Sequence, residues 1–167
     1  MAFEYDSSGG NDTDSDTQYE DTFNRLKLNS AHMDNANLSN LNLRGVLLGN
    51  AKLNGADLSG SNLKGADLGC AKLNDAKLDN CKLEKVDFTY AELDRASLRD
   101  VNLKDAVFEG TSLIKTDFGD TDLTQFANDE CVCPEEWDNA IMNPEMRKRF
   151  DEAKAREAAA QTSDEDI

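Results

Sequence analysis

The sequence has little of what enzymes and nucleic-acid-binding proteins require. It contains one histidine, and 18 basic residues stand against 34 acidic ones, for a formal net charge of -16. Binding nucleic acid through its phosphates needs a basic surface, so direct nucleic-acid binding is not expected. The histidine, His32, belongs to no catalytic motif, and neither a phosphate-binding loop nor a metal-ligand spacing is present. The sequence therefore predicts a protein that is not an enzyme and uses no cofactor or metal.

Long apolar runs are also missing. Hydrophobic residues make up 38% of the chain, and no run approaches the roughly 18 residues that a membrane helix needs. Residues 1–25 have no apolar segment of the kind found in a signal peptide, and they are acidic where a signal peptide is basic. We expect a cytoplasmic protein without a membrane span. A periplasmic or thylakoid-lumen location would require that a signal had been removed.

The negative charge is concentrated in the two flanks. Residues 1–25 carry seven acids and one base, residues 26–125 carry 15 acids and 12 bases, and residues 126–167 carry 12 acids and five bases. Residues 1–18 have the polar, acidic composition of a disordered arm, and residues 162–167 are expected to be a disordered tail. The central part of the chain is therefore nearly neutral.

What the sequence does have is a strict five-residue period. Every fifth residue from Leu28 to Leu123 is Leu, Phe or Met, at 20 consecutive positions, and the residue two places earlier is small except at Leu26 and Leu41. Five residues rotate a helix by about 140°, and side chains alternate along a strand, so neither element keeps this series on one face. The pattern predicts short extended segments joined by two-residue turns, with the chain wound around an axis.

Residues 36–40, 56–60 and 66–70, which read ANLSN, ADLSG and ADLGC, resemble the Ala-(Asp/Asn)-Leu-X-X unit of the pentapeptide-repeat family. The resemblance implies an all-β solenoid, a right-handed quadrilateral β-helix with four pentapeptides per coil, and hence about five coils over residues 26–125. The large and small side chains of each coil would point inward and fill the lumen. Function would then depend on the outer faces and the two ends.

The C-terminal flank predicts a helical cap over residues 126–161. Pro134 and Pro144 are each suited to the first position of a helix, so helices are predicted over 134–142 and 144–160. Their apolar side chains would pack on the last coil or, alternatively, form a dimer contact through this end. These residues are Phe126, Trp137, Ile141, Met146 and Phe150.

The residues before the repeats predict an N-terminal cap over 19–25. Ser15 and Gln18 have the spacing of a capping box, which begins a helix. Tyr19 and Phe23 could then close the first coil as a short helix or as an extra turn.

One outer face combines apolar side chains with acids. It holds one base, Lys27, beside Asp67, Asp87 and Glu109. Its candidate partner contacts are Leu47, Cys70, Tyr90 and Val107. Exposed apolar groups next to glycines allow another chain to approach closely, so we expect a partner or one of the protein's own tails to lie here. The alternative is that these are scattered surface residues without a role.

The four cysteines divide by position. Cys81 falls on a small inward site and is expected to be a packing residue, whereas Cys70 is an outward turn residue. Cys131 and Cys133 form a lone Cys-x-Cys, which is weak evidence for zinc and too short a loop for an unstrained disulfide. Reduced thiols are expected, and a bond from Cys70 to either tail cysteine is left open.

These features favour a non-enzymatic scaffold that binds an unidentified protein, as a monomer or as a dimer through the C-terminal end. An alternative comes from the resemblance, because some pentapeptide-repeat proteins inhibit or protect type II topoisomerases such as gyrase by imitating DNA. Imitation needs carboxylates displayed along the rod, and residues 26–125 are nearly balanced in charge.

Overall fold

The computed structural model describes residues 26–126, 137, 139–152 and 155. The predictions for residues 1–18, 19–25 and 162–167 and for Cys131 and Cys133 lie outside these residues. No helix in the described ranges is long and apolar enough to cross a membrane.

Parallel β-bridges at every fifth residue organise the repeats. Each bridge pairs an outward-facing residue with the one 20 positions later, from Lys27 with Leu47 to Ser97 with Asp117. Four five-residue units therefore complete one circuit of the chain. The chain is a β-solenoid, as the resemblance implied, although its extended pieces are bridges of single residues instead of long strands.

Backbone hydrogen bonds join successive circuits in a fixed pattern. The central Leu58 donates its N–H to the carbonyl of Lys77 at 2.8 Å, and Lys77 donates its own to the carbonyl of Ala56 at 2.9 Å. A third bond, from the N–H of Ser61 to the carbonyl of Leu58 at 3.0 Å, closes the turn within one unit. The same three bonds recur along the repeats, so each circuit is a template for the next.

Every turn contains one left-handed residue. From Ser30 to Lys115, each fifth residue has a φ between 55° and 72°. Glycine, asparagine and aspartate tolerate this conformation and occupy most of these positions. Lys85, Tyr90 and Arg95 adopt it as well, although it costs an ordinary residue about 1–2 kcal/mol. The closure of the circuit therefore overrides local preference.

The core is a stack of the central residues. From Leu48 to Leu123 these side chains are at most 2% exposed. Four small inward sites hold hydroxyls, and each hydroxyl donates to the carbonyl 23 residues earlier, as Thr116 Oγ1 does to Leu93 at 2.7 Å. The other three are Ser61, Thr111 and Thr121. Buried polar groups are thus paired, which removes most of the cost of placing them in the core.

Cys81 occupies one of these small sites, as predicted. Its side chain is 3% exposed, and its thiol contacts the carbonyl of Leu58 at 3.0 Å. Burial raises the pKa of the Cys81 thiol to about 11, so the group stays protonated at neutral pH. Cys81 is free, as is the exposed Cys70.

Among the described residues, two short strands and a 3-10 turn lie at the C-terminal end of the repeats. Strand β1 is Asp117–Gly119, the 3-10 turn is Thr124–Phe126, and strand β2 is Ile141–Met142. β2 lies parallel to β1, and Ile141 donates its N–H to the carbonyl of Thr116 at 2.7 Å. β2 thus continues the stacking of the circuits on one face.

The predicted helix over 134–142 is wrong at its end. Residues 137 and 139 are helical, but residues 141 and 142 form β2 because the edge of β1 offers them backbone partners. The second predicted helix is present over 144–152 and at residue 155. Asn143 caps it, accepting the N–H of Met146 on its side-chain oxygen at 2.7 Å, and Pro144 occupies the first helical position.

Shortening one central leucine should destabilise the whole stack. Leu78 is 0% exposed, so Leu78→Ala should lower the free energy of unfolding by about 2–5 kcal/mol. Urea denaturation followed by circular dichroism measures this change. The neighbouring Lys77 is exposed, and Lys77→Ala should change the value by less than about 0.5 kcal/mol. Equal effects of the two substitutions would contradict the inward assignment.

Candidate partner-binding face

One outer face has a column of five bridged residues and an adjacent column of turn residues. The bridges place Lys27, Leu47, Asp67, Asp87 and Val107 one above another. The turn column, which runs alongside it, contains Cys70 and Tyr90. We call this surface the tyrosine face, and it comprises Leu47, Cys70, Tyr90 and Val107 with Asp67, Asp87 and Glu109.

The Tyr90 ring lies against the glycine of the next circuit. The Tyr90 side chain is 60% exposed, and the glycine is Gly110, where an added Cβ would overlap two ring carbons. Gly110 also has a left-handed φ of 62°. A glycine at this position therefore leaves space for the ring against the backbone, and most of the side chain stays open to solvent.

The structure brings only part of the predicted site together. Val107 is 43% exposed and belongs to the circuit after that of Tyr90. The N–H of Tyr90 donates to the backbone carbonyl of Glu109, in the same circuit as Val107, at 2.7 Å. Tyr90 and Val107 are therefore the exposed apolar pair of this face. Cys70 is exposed one circuit below Tyr90, but Leu47 is half-buried, contrary to expectation. Lys27 and Asp67 flank Leu47 from both sides.

The carboxylates of this face stabilise local turns. Asp67 accepts the N–H of Gly69 at 2.9 Å, and Asp87 accepts the N–H of Thr89 at 2.8 Å. Each carboxylate keeps further lone pairs that these bonds do not use. The acids are therefore fixed in position and can still accept bonds from a partner.

Ion pairs lie on the other faces. Arg95 donates two hydrogen bonds to the carboxylate of Asp75, from Nε at 2.8 Å and from Nη2 at 2.7 Å. Lys72 Nζ lies 3.0 Å from Glu92 Oε1. Arg99 binds Asp117 through its guanidinium, with Nε at 3.0 Å from Oδ2. Three acids of these faces, Asp75, Glu92 and Asp117, thus have basic partners.

These contacts hold several carboxyl pKa values below their ordinary range. The bond from Arg95 lowers the pKa of Asp75, the bond from Lys72 lowers that of Glu92, and the bond from Arg99 lowers that of Asp117. The cause in each case is a donor that favours the charged carboxylate.

Acid should therefore weaken the fold partly through Asp117. A carboxyl with a lower pKa in the folded state adds stability above its unfolded pKa and loses it as the pH falls through the folded value. The ordinary Asp value is 3.8, so the urea midpoint should fall from pH 6 to pH 3. The urea midpoint of Asp117→Asn should fall less over this pH range. The midpoint of Asp105→Asn, which changes an exposed turn residue, should fall as much as that of the unmodified protein. An Asp117→Asn variant that loses as much on acidification would contradict this assignment.

The C-terminal end is filled by aromatic side chains. Trp137 is 2% exposed, and its ring centroid lies 5.3 Å from Phe126, 5.6 Å from Phe108 and from Phe118, and 5.8 Å from Phe150. Four of the five residues predicted for this end are buried, namely Phe126, Trp137, Met146 and Phe150.

Ile141 is the exception and corrects the prediction. Its side chain is 48% exposed, because β2 turns residue 141 outward in register with Asp117. Three further exposed side chains were not predicted as surface features. They are Leu26 at 51%, Leu41 at 40% and Ile114 at 44%. Leu26 and Leu41 had been expected to crowd small inward sites; instead they are exposed in the first circuit, residues 26–45.

Removing the tryptophan ring should cost more than replacing it. Trp137→Ala should lower the free energy of unfolding by about 3–5 kcal/mol, because it empties the centre of the aromatic cluster. Trp137 Nε1 is buried without a hydrogen-bond partner, so Trp137→Phe leaves no new unpaired group and should cost less than about 1.5 kcal/mol. Chemical denaturation measures both. Ile141→Ala is the exposed control, and an effect as large as that of Trp137→Ala would refute the assignment.

A charge gradient along the rod was also not predicted from the sequence. The successive 20-residue segments from 26–45 to 106–125 carry formal charges of +1, +1, 0, -2 and -3. The trend is not visible when the formal charges are summed over each face, and it appears when they are summed over each circuit. The N-terminal end of the rod is the most positive part, and the acidic end lies beside the aromatic cluster.

Other candidate sites are sparse in the described residues. A surface cleft of about 220 Å³ is lined by residues 101–104 with Asp122, Thr124 and Gln125. Its polar groups pair locally, since Thr124 donates its hydroxyl to Asp122 at 2.7 Å and Gln125 donates to the carbonyl of Leu103 at 2.8 Å. Within the ranges that the structure describes, no three His, Cys, Asp or Glu residues are grouped to hold a metal ion.

The sequence matches the family of pentapeptide repeats in eight copies. The matched segments are 31–69, 42–80, 66–105 and 91–126, which together cover more than half of the chain. The chain belongs to the pentapeptide repeat family. A comparison with curated proteins gives no match.

Solved structures of other pentapeptide repeat proteins resemble the chain. Rfr23 from the cyanobacterium Cyanothece 51142 is 34% identical, with a TM-score of 0.53, over 55% of this chain and 62% of Rfr23. A pentapeptide repeat protein of the Arabidopsis thaliana thylakoid lumen is 25% identical, with a TM-score of 0.34, over 55% of this chain and 67% of that one. This chain thus spans about three fifths of Rfr23.

QnrB1, a plasmid-mediated fluoroquinolone resistance protein, is 12% identical, with a TM-score of 0.32, over 75% of this chain and 76% of QnrB1. At this identity the likeness concerns the fold alone. It supports no functional inference for this chain.

Proposed function

We propose that the chain is a non-enzymatic scaffold that binds a partner protein through the tyrosine face. The observation that supports this most directly is the exposed pair of Tyr90, at 60%, and Val107, at 43%. The pair lies on a face with three acids, Asp67, Asp87 and Glu109, and one base, Lys27. An exposed apolar pair beside charged, mostly acidic side chains is typical of a protein-binding surface.

The closed interior directs binding to the outside of the rod. The central side chains from Leu48 to Leu123 fill the space between the faces, since they are at most 2% exposed. We infer a right-handed rod of about five coils, the form that the family's fold implies. Such a rod presents rigid, flat faces and offers no interior pocket to a substrate.

The face suits a partner segment with an apolar side chain flanked by Lys or Arg. Gly110 leaves room for the Tyr90 ring beside the backbone, and a tyrosine side chain loses little conformational entropy when a partner packs on it. The three acids would attract basic side chains and orient the partner during its approach. Tyr90 would thus contribute contact area, and the acids would contribute specificity.

Imitation of DNA has less support. It requires carboxylates that are free along the rod, as phosphates are along a duplex. Here Arg95, Lys72 and Arg99 bind the carboxylates of three acids on the other faces. Those acids are Asp75, Glu92 and Asp117. The tyrosine face itself has three acids, Asp67, Asp87 and Glu109, which are too few to mimic a continuous phosphate backbone.

The aromatic cluster at the C-terminal end supports a capping role within one chain. Trp137 and Phe150 are buried in the chain's own end, so they are not available for a dimer contact in this conformation. We propose that the scaffold is a monomer whose acidic end is closed by this cluster.

Replacing the exposed pair should weaken partner binding without unfolding the rod. Tyr90→Asn removes the ring and keeps a residue that tolerates the left-handed turn, and it is combined with Val107→Ser. For a partner protein that binds the unmodified chain, the dissociation constant should rise at least about tenfold. Loss of an aromatic anchor usually costs more than about 1.4 kcal/mol of binding free energy. Isothermal titration calorimetry measures the change.

The matched control is Asn80→Gly with Asn102→Ser, which changes a turn residue and an outward residue on other faces without altering the net charge. It should leave the dissociation constant unchanged, and the urea midpoints of both variants should match that of the unmodified protein. Equal binding by all three proteins would refute the tyrosine face as the binding surface.

A further inference from the structure

The two ends of the rod differ in what covers them. At the C-terminal end, residues 139–143 pair with residues 115–119, and Trp137 fills the centre. At the N-terminal end, the first circuit, residues 26–45, has a neighbouring circuit on one side only among the described residues. Its outer side is an edge of the solenoid.

Four backbone donors mark this edge. In the second circuit, each outward-facing residue donates its N–H to a carbonyl of the first circuit at 2.8 to 2.9 Å, as Asn62 does to Leu41. The equivalent donors of the first circuit belong to Lys27, His32, Asn37 and Asn42, and the described residues provide none of them with such a carbonyl. An unpaired edge of this kind attracts another strand.

The central side chains of the first circuit show where a cover lies. Leu28, Met33 and Leu38 are only partly buried, whereas the equivalent Leu48, Leu53 and Leu58 are at most 1% exposed. Leu43 is the exception, because it is 8% exposed although it has the same position at the edge. One quarter of the edge is therefore shielded more completely than the other three.

We propose that residues 19–25 of this chain cover that quarter by pairing with residues 39–45. Extending the constant register of the bridges back by one circuit places Phe23 beneath Leu43. Phe23 also continues the five-residue series that starts at Leu28. An aromatic side chain at this position would cover the central leucine as the next circuit does elsewhere.

The same register supplies the edge with a backbone acceptor. The carbonyl of Asp21 then accepts the N–H of Asn42, just as the carbonyl of Leu41 accepts the N–H of Asn62 at 2.9 Å. Gln18 and Thr13, the next positions in the series, are polar, so the pairing stops there. Only one of the four edge donors therefore gains a partner.

Charge supports this occupant. Residues 1–25 carry a formal charge of -6, and the two circuits nearest to them, residues 26–65, carry +2. These two circuits are the most positive part of the rod. The acidic segment is therefore attracted to the N-terminal end, where the proposal places it. A second copy in the same place would bring two positive ends and two acidic segments together.

Amide hydrogen exchange on the full-length chain tests the pairing residue by residue. The Asn42 amide should exchange at least about tenfold more slowly than the His32 and Asn37 amides, because only Asn42 gains a backbone acceptor. Phe23→Ser should bring Asn42 to the rate of His32. The control Tyr5→Ser, which alters an aromatic residue of the acidic flank outside the five-residue series, should leave Asn42 protected.

The core amides of Leu68 and Leu78 report whether each variant is folded, and they should remain protected in all three proteins. Equal exchange of Asn42, His32 and Asn37 in the unmodified chain would overturn the proposal, as would equal effects of Tyr5→Ser and Phe23→Ser. Protection of all four edge amides that falls on dilution, with a doubled mass in light scattering, would show a second copy at this end and would also overturn it.

Discussion

The constant register between successive circuits determines the rest of the structure. Each central N–H reaches a carbonyl of the following circuit, and each outward N–H reaches a carbonyl of the preceding one, as in Leu58 and Lys77. Both bonds form only if each circuit contains the same number of residues. An insertion in one repeat would shift every later side chain between the inside and the outside. The absence of insertions between Leu28 and Leu123 follows from this constraint.

The inward positions could be predicted because two independent requirements coincide there. A large residue every fifth position and a small residue two places before it are compatible with a closed circuit but with neither a helix nor a flat strand. The five-residue period alone gave no number of units per circuit. That number came from the family resemblance, and the bridges, which join every fourth unit, agree with it.

The ends of the rod were harder to predict because partners distant in sequence decide them. Pro144 and Asn143 carry a local helix signal, and the helix after them is present. Ile141 and Met142 carry no such signal and become a strand only because the edge of β1 is free. Propensity decides the conformation of a two-residue segment less than the hydrogen bonds that its neighbours offer. The exposure of Ile141 has the same cause, since pairing with the edge fixes which side chains point outward.

The tyrosine face illustrates a different limit. The exposure of Tyr90 and Val107 follows from their positions in the repeat, and the sequence predicted both. The space for the ring depends on the absence of a side chain at Gly110 in the next circuit, which can be seen only once the stacking of the circuits is known. The half-burial of Leu47 likewise depends on its flanking residues in the same column.

The order of charges along the axis gives the molecule a direction. With +1 on the first 20-residue segment and -3 on the fifth, the rod is an electric dipole that turns in the field of any charged body it approaches. With the flanks included, residues 1–65 carry -4 and residues 86–167 carry -12, so a basic surface would meet the C-terminal end first. At physiological ionic strength this torque acts only within about 8 Å, so salt would abolish the preferred orientation before it disturbed any short-range contact.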